Sequence, residues 1–144
     1  KFVLFSIALF CAACTAPTAD PARGDVHTSV YWSDGDSGRL GDLKFRLADI
    51  DAPETGGVGA RGGAKCEFER GLGFDAKAFM VEFTRGKELT ITSDNGDDRY
   101  GRKVITLEAG GVDVAHAGIE AGHLAPWPHK GRRALQKKPD WCAA

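Results

Sequence analysis

The sequence has almost no net charge, because 19 Lys and Arg residues are balanced by 20 Asp and Glu residues, giving −1 at pH 7. Proteins that coat nucleic acids through bulk positive charge have a clear basic excess, so that class is excluded. Any contact with nucleic acid must come from a local basic patch or a divalent metal. The 42% hydrophobic and 27% charged residues are typical of a soluble globular protein, and 144 residues suit one domain.

A long hydrophobic run is also missing, since the apolar segment at residues 2–10 is too short to span a bilayer as a helix. Lys1 precedes this segment and small residues follow it, a pattern that predicts a secretory signal. We expect a signal and tether over residues 1–19 and a mature domain over residues 20–144. A buried N-terminal strand or helix is the alternative.

The end of this signal resembles a bacterial lipobox, with Cys14 as the lipidated residue. Cys11 replaces the usual aliphatic residue three places earlier, so lipidation of Cys14, with membrane anchoring, and simple cleavage both stay open. In either case the sequence predicts export to the periplasm, the cell envelope or the outside of a bacterium.

Cysteine is scarce, with four residues in all. Cys11 and Cys14 belong to the signal, which leaves Cys66 and Cys142. An oxidising compartment favours a disulfide between this pair, with two separate thiols as the alternative. No second Cys or His lies at ligand spacing near either one, which disfavours zinc.

Alternation of polar and apolar residues predicts mostly β-structure from residue 26 onward. The strand candidates are residues 26–32, 39–40, 43–50, 88–92 and 103–107. In the third candidate Leu43, Phe45 and Leu47 share one face, so Arg46 points to the opposite side. A polar loop at residues 93–101 separates the last two candidates.

Helical periodicity predicts two helices. The first carries an apolar stripe and ends near Gly86, where a C-cap glycine belongs; the stripe consists of Leu72, Ala76, Phe79, Met80 and Phe83. The second covers residues 112–121 and ends at Gly122. Three strands, a helix, two strands and a helix predict an α+β fold, a five-stranded β-barrel with helices, for which the OB-fold is the candidate.

Three polar clusters stand out in this pattern. They are Asp34-Gly35-Asp36, then Arg46 with Asp51 and Glu54, then Asp98-Arg99-Tyr100-Gly101-Arg102. Each alone has a simple structural explanation: a turn, the end of a strand, or the exit from a loop.

Together the clusters fit phosphodiester hydrolysis. Such a site must neutralise the non-bridging oxygens, supply a water nucleophile and align the attacking and leaving oxygens. Two aspartates and a carbonyl suit a hard cation such as Ca²⁺. Two arginines suit bidentate recognition of phosphate, and a further carboxylate can act on the water.

The order D-G-D-S, F-R-L-x-x-I-D-A-P-E-T, D-R-Y-G-R and a helix ending in A-G-H-L-A resembles the staphylococcal nuclease (thermonuclease) family. The resemblance covers about residues 30–125. The basic segment and the final Trp-Cys are similar to the compact secreted bacterial branch. The resemblance implies an OB-fold barrel with packed helices and Ca²⁺-dependent cleavage of DNA and RNA to 3′-phosphate products.

Position by position, the resemblance implies a Ca²⁺ site made by Asp36, Asp51 and the carbonyl of Ala52. It makes Glu54 the residue that acts on the attacking water, as a base or as an orienting group. Asp34 matches a carboxylate near the metal but outside its ligands. The best-known members have Thr at the position of Ala52, so a hydroxyl hydrogen bond is lost here while the backbone ligand is retained.

For substrate contacts, the resemblance implies that Arg46 and Arg102 bind the scissile phosphate and that Tyr100 contacts the nucleotide. The tyrosines that the best-known members use after the second helix are absent. Trp127 or His129 can stack on a base instead, because stacking needs only a π-face. Packing of Trp127 against the C-terminal tail is the alternative.

Two other functional classes compete with a nuclease. A non-catalytic OB-fold module would bind nucleic acid without cutting it, but binding alone does not require the metal ligands together with Glu54. A Ca²⁺-stabilised surface protein would leave Arg46 and Arg102 unexplained. The basic run at residues 130–138 is either a contact for flanking phosphates or a solvated tail.

Overall fold

The structure, a computed structural model, describes residues 26–143. The expected signal and tether, with Cys11 and Cys14, therefore lie outside the described residues. Within residues 26–143, neither helix is long and apolar enough to cross a membrane.

Short strands and two helices alternate along the described chain. Its strands are β1 (Val26–His27), β2 (Tyr31–Trp32), β3 (Ser37–Leu40), β4 (Leu43–Leu47), β5 (Ile50–Asp51), β6 (Leu89–Asp97), β7 (Lys103–Ala109), β8 (Val112–Asp113), β9 (Ala125–Pro126), β10 (His129–Lys130) and β11 (Arg133–Ala134). Helix α1 covers Glu67–Thr84 and helix α2 covers Val114–Glu120.

One curled mixed sheet forms the centre of the fold. Its order is β1-β6-β7-β4-β3-β2, with β8 added beside β7. β4 and β7 pair in parallel, whereas the other pairs in this sheet are antiparallel. β5 pairs with β9, and β10 pairs with β11. This curled sheet with two helices confirms the predicted α+β barrel of the OB type.

The core lies between the concave side of the sheet and the two helices. Its buried hydrophobic residues include Trp32, Leu40, Phe45, Leu47, Met80, Leu89, Ile105, Leu107, Val114 and Leu124. Trp32 lies edge-on to Phe45 and donates its indole N–H to the Thr84 hydroxyl at 3.1 Å. Along β4, Phe45 and Leu47 are buried whereas Lys44 is exposed, so the predicted alternation is confirmed.

Most predicted segments differ from the observed ones at an end, and three are divided or reassigned in part. The strand candidate 26–32 is two short strands, β1 and β2. The candidate 43–50 breaks at Asp49, whose φ of 58° turns the chain between β4 and β5. Residues 112–113 form β8 rather than the start of α2, since Asp113 caps that helix by accepting from the N–H of His116.

The predicted polar loop at 93–101 is wrong in its first half, because β6 continues to Asp97. Register shifts interrupt its pairing with β7 between Ile91 and Ser93 and between Asp94 and Asp97. This part of the strand carries exposed polar side chains and irregular pairing, so its sequence does not show the alternation of polar and apolar residues that predicts a strand.

Helix α1 begins at Glu67, five residues before its apolar stripe, because Cys66 caps it. The Cys66 sulfur accepts a hydrogen bond from the N–H of Glu69 at 3.4 Å, and acidic residues in the first turn complement the helix dipole. Cys66 also forms a disulfide with Cys142, with a Cα–Cα distance of 6.2 Å. The predicted pairing is confirmed.

Candidate active site

Small residues bring helix α1 against the two segments that carry the candidate carboxylates. A Cβ atom added to Gly73 of the helix would lie 2.6 Å from the carbonyl oxygen of Glu54. A Cβ atom added to Gly35 would lie 2.8 Å from the Cβ of Ala76 and 3.0 Å from the Cβ of Ala52. The helix therefore fixes the positions of residues 34–36 and 51–54 relative to each other.

The first cluster is a turn that Asp34 holds together. Its Oδ1 accepts hydrogen bonds from the backbone N–H groups of Asp36 at 3.2 Å and Ser37 at 2.9 Å. The Ser37 hydroxyl donates to Oδ1 of Asp36. Asp36 is buried, and its carbonyl accepts from the N–H of Leu47 at 2.8 Å, which ties the turn to the end of β4.

Arg46 joins the first cluster to the second. Its Nη2 lies 2.9 Å from Oδ2 of Asp36 and 3.5 Å from Oδ1 of Asp51. It also donates to the carbonyl of Ile50 at 3.2 Å. Because β4 sends Phe45 and Leu47 into the core, Arg46 points away from it and toward these carboxylates.

Arg102 connects the third cluster to the first. Its Nε and Nη2 contact Oδ2 of Asp98 at 2.8 and 2.7 Å, and its Nη1 donates to the Ser37 hydroxyl at 3.0 Å. Burial acts to raise the pKa of Asp98, but hydrogen bonds from Arg102 and from the backbone of Tyr100 outweigh burial and hold this pKa below its usual value. The three clusters of the sequence thus form one site.

Two residues from the C-terminal end complete the site. Lys138 Nζ lies 3.3 Å from Oδ1 of Asp51 and 3.4 Å from Oε1 of Glu54. The indole N–H of Trp141 donates to Oδ2 of Asp51 at 2.9 Å. The carboxylate of Asp51 therefore has a cationic side, shared by Arg46 and Lys138, and a neutral side occupied by Trp141.

Negative charge is concentrated in this site. Burial and the neighbouring charge of Asp36 raise the pKa of Asp34 to about 7. Burial also raises the pKa values of Asp51 and Glu54, although the contacts with Lys138 oppose both shifts. The charges of these two acids hold the pKa of Lys138 above its usual value against the effect of burial. A cation placed among these carboxylates would relieve their repulsion.

The donor set fits a hard divalent cation, but only in part. Asp36 and Asp51 both approach one nitrogen of Arg46, and the Lys138 ammonium already lies between Asp51 and Glu54. Nowhere in residues 26–143 do three acidic, histidine or cysteine side chains converge as a ready metal cage. Because Ca²⁺ takes six to eight oxygens, water and substrate oxygens would have to supply most of them.

The two candidate nucleotide contacts lie beside different basic residues of this site. Tyr100 is 65% exposed, and its ring lies beside the guanidinium groups of Arg99 and Arg102. The Trp127 ring centroid lies 5.7 Å from Arg46 and 5.9 Å from Lys138. Packing against the tail is present as well, since Trp127 donates its indole N–H to the carbonyl of Gln136 at 3.2 Å.

Sequence reasoning missed four residues of the site. Ser37 and Asp98 belong to the motifs D-G-D-S and D-R-Y-G-R, next to residues with predicted roles. Nothing in the sequence separates Lys138 from the other basic residues at 130–138. Trp141 supports only the resemblance to a branch of the family, and no contact was predicted for it. The predicted bridge between Cys66 and Cys142 is the sequence feature that could have indicated where Trp141 lies, because Trp141 precedes Cys142.

A family model described as staphylococcal nuclease homologue matches residues 44–138. No curated protein matches the chain significantly. The matched range includes Arg46, Asp51, Glu54, Arg102 and Lys138.

Proposed function

The chain belongs to the staphylococcal nuclease family, and we propose that it is a Ca²⁺-dependent nuclease that hydrolyses phosphodiester bonds of DNA or RNA to 3′-phosphate products. The observation that carries this proposal is the convergence of two arginines and three carboxylates in one site. Arg46 contacts both Asp36 and Asp51, and Arg102 reaches the same turn through Ser37. A module that only bound nucleic acid would have no use for the buried acids.

In the proposed reaction, Arg46 and Arg102 bind the non-bridging oxygens of the scissile phosphate. The contacts of Arg46 with Asp36 and Asp51 use a single nitrogen, Nη2, of a group that has five N–H donors. Arg102 is oriented by Asp98, which holds its Nε and Nη2. Planar guanidinium groups fixed in this way stabilise charge that develops on phosphate oxygens.

Glu54 has the role of acting on the attacking water, either as a base or by holding the water in line. The water oxygen bonds to phosphorus and gives up one proton, to Glu54 or to solvent. The bond from phosphorus to the 5′ oxygen breaks, and the 5′ oxygen takes up one proton from solvent, so that one water is consumed for each bond cut. Asp36, Asp51 and the Ala52 carbonyl would hold Ca²⁺, which supplies positive charge beside the phosphate when bound. Tyr100, beside Arg102, and Trp127, beside Arg46, would contact the bases.

The decisive experiment separates cleavage from binding through Glu54→Gln. An amide of the same shape neither takes the proton nor orients water well, so cleavage of single-stranded DNA and RNA should fall by about 10²- to 10⁴-fold. Calorimetry with Ca²⁺ and with a non-cleavable oligonucleotide should give binding close to that of the wild type. Chelation of Ca²⁺ should abolish cleavage by the wild type.

The matched control is Glu67→Gln on helix α1, where the side chain is largely exposed and pairs with Arg70. It makes the same chemical change away from the site, so cleavage should stay at the wild-type rate. Wild-type protein that binds the oligonucleotide but never cuts it would establish the non-catalytic binding module. Unchanged cleavage by Glu54→Gln would move the water-activating role to another residue.

A further inference from the structure

The last part of the described chain, residues 137–142, crosses the active site, and we refer to it as the C-terminal strap. It contributes Lys138 and Trp141 to the carboxylates and ends in Cys142, which is bonded to Cys66 at the start of helix α1. The strap contains neither helix nor strand. The disulfide therefore links the end of the strap, next to Trp141, covalently to the start of helix α1.

The two carboxylate oxygens of Asp51 have different partners. Oδ2 accepts the indole N–H at 2.9 Å, and Oδ1 faces Lys138 at 3.3 Å and Arg46 at 3.5 Å. Asp51 is only 1% exposed. While the strap is in place, solvent is therefore unable to replace the indole as a partner for Oδ2, and rotation of the carboxylate would break that hydrogen bond.

We propose that Trp141 is a positioning residue, which holds the Asp51 carboxylate so that Oδ1 stays directed into the cationic side of the site, and that the Cys66–Cys142 disulfide keeps Trp141 there. This inference rests on the proposed function, in which Asp51 is a Ca²⁺ ligand. It makes Ca²⁺ affinity depend on the oxidation state of a bridge whose two cysteines are both partly exposed.

Two features of the strap support the role of the bridge. Trp141 is the immediate neighbour of Cys142, so opening the disulfide frees the chain one residue away from the hydrogen bond. Besides the ion pairs of Lys138, three residues earlier, the contacts around the end of the strap are turns, from the N–H groups of Cys142 and Ala143 to Asp140. These turns shape the strap but do not hold it against Asp51.

The first test compares Trp141→Phe with the wild type by calorimetric titration of the full chain with Ca²⁺. Phe keeps an aromatic ring but removes the N–H donor. Loss of a hydrogen bond to a metal-binding side chain weakens metal affinity by about 10- to 100-fold, and we expect a loss in that range. Unchanged Ca²⁺ affinity would overturn the proposal.

The matched control is Trp32→Phe, which also removes one indole hydrogen bond, the buried one to Thr84. This variant should lower the melting temperature while leaving Ca²⁺ affinity unchanged. An equal loss of Ca²⁺ affinity in Trp32→Phe would show that general destabilisation explains the result for Trp141→Phe, and would overturn the positioning role.

The role of the bridge is tested with Cys142→Ser and with the double variant Trp141→Phe/Cys142→Ser. If the disulfide acts through Trp141, Cys142→Ser should also weaken Ca²⁺ binding, and the double variant should lose no more than the larger single loss. Reduction and alkylation of the wild type should reproduce the effect of Cys142→Ser. Additive losses would overturn the link between the bridge and Trp141.

These measurements separate failure of this inference from failure of the proposed function. A wild type that neither binds Ca²⁺ nor cuts nucleic acid contradicts the proposed function itself. A wild type that binds Ca²⁺ and cuts, beside strap variants that bind Ca²⁺ equally well, contradicts only the role of Trp141.

Discussion

Replacing Gly73 with Ala tests whether the contact between helix α1 and the backbone of Glu54 positions the proposed active site. The new Cβ would lie 2.6 Å from the carbonyl oxygen of Glu54, 2.7 Å from its carbonyl carbon and 2.9 Å from the carbonyl oxygen of Pro53. All three atoms belong to the backbone, so no side chain can rotate aside. Residues 53–54 or the helix must move by about 0.8 Å to restore an ordinary van der Waals distance.

The energetic consequences of this displacement follow from two opposing effects. Overpacking costs about 1–3 kcal/mol, while Ala stabilises a helix interior relative to Gly by about 1 kcal/mol. The net loss of stability should therefore lie between zero and about 2 kcal/mol. Catalysis is more sensitive, because a displacement near 1 Å can cost about 10²-fold in rate, and we expect kcat to fall by that factor.

Gly71→Ala is the matched control, since a Cβ at Gly71 in the same helix meets nothing within 4 Å. It should raise the free energy of unfolding by about 1 kcal/mol without changing kcat. Urea denaturation and initial cleavage rates measure both variants. Wild-type kcat in Gly73→Ala, or equal stabilisation by the two substitutions, would refute the positioning role of the contact.

Two further predictions concern Arg102 and its partner Asp98. In Arg102→Lys a point charge replaces a fork that spans Asp98 and Ser37, so kcat should fall by an amount equivalent to about 3 kcal/mol while KM changes little. Steady-state kinetics measures this, and equal losses in kcat and affinity would indicate simple docking instead. In the folded protein the pKa of Asp98 lies below its usual 3.8. The ionised Asp98 therefore stabilises the folded state above pH 3.8, and this contribution is lost as the pH falls through the folded pKa. Asp98→Asn should therefore have a lower melting temperature than the wild type at pH 7, and the difference should shrink below about pH 4. A difference in melting temperature that does not change with pH would contradict the lowered pKa of Asp98.

Local patterns in the sequence predicted the features that depend on near neighbours. The period of two along β4 predicted that Arg46 points away from Phe45 and Leu47, as the structure confirms. The same reasoning failed at residues 93–97, where an irregular hairpin carries polar side chains without alternation. It also failed at Asp49, whose left-handed backbone conformation ends β4 before Ile50.

Motif spacing identified the residue types of the candidate site, but only the tertiary structure decided which groups touch. Ser37 and Arg102 are 65 positions apart, and Asp51 and Trp141 are 90 positions apart. Contacts over such separations depend on the path of the chain, and here that path is set by the close approach of α1 at Gly73 and by the bridge to Cys142. The sequence thus predicted the candidate carboxylates and arginines. The contacts of Lys138 and Trp141 with these carboxylates follow only from the folded strap.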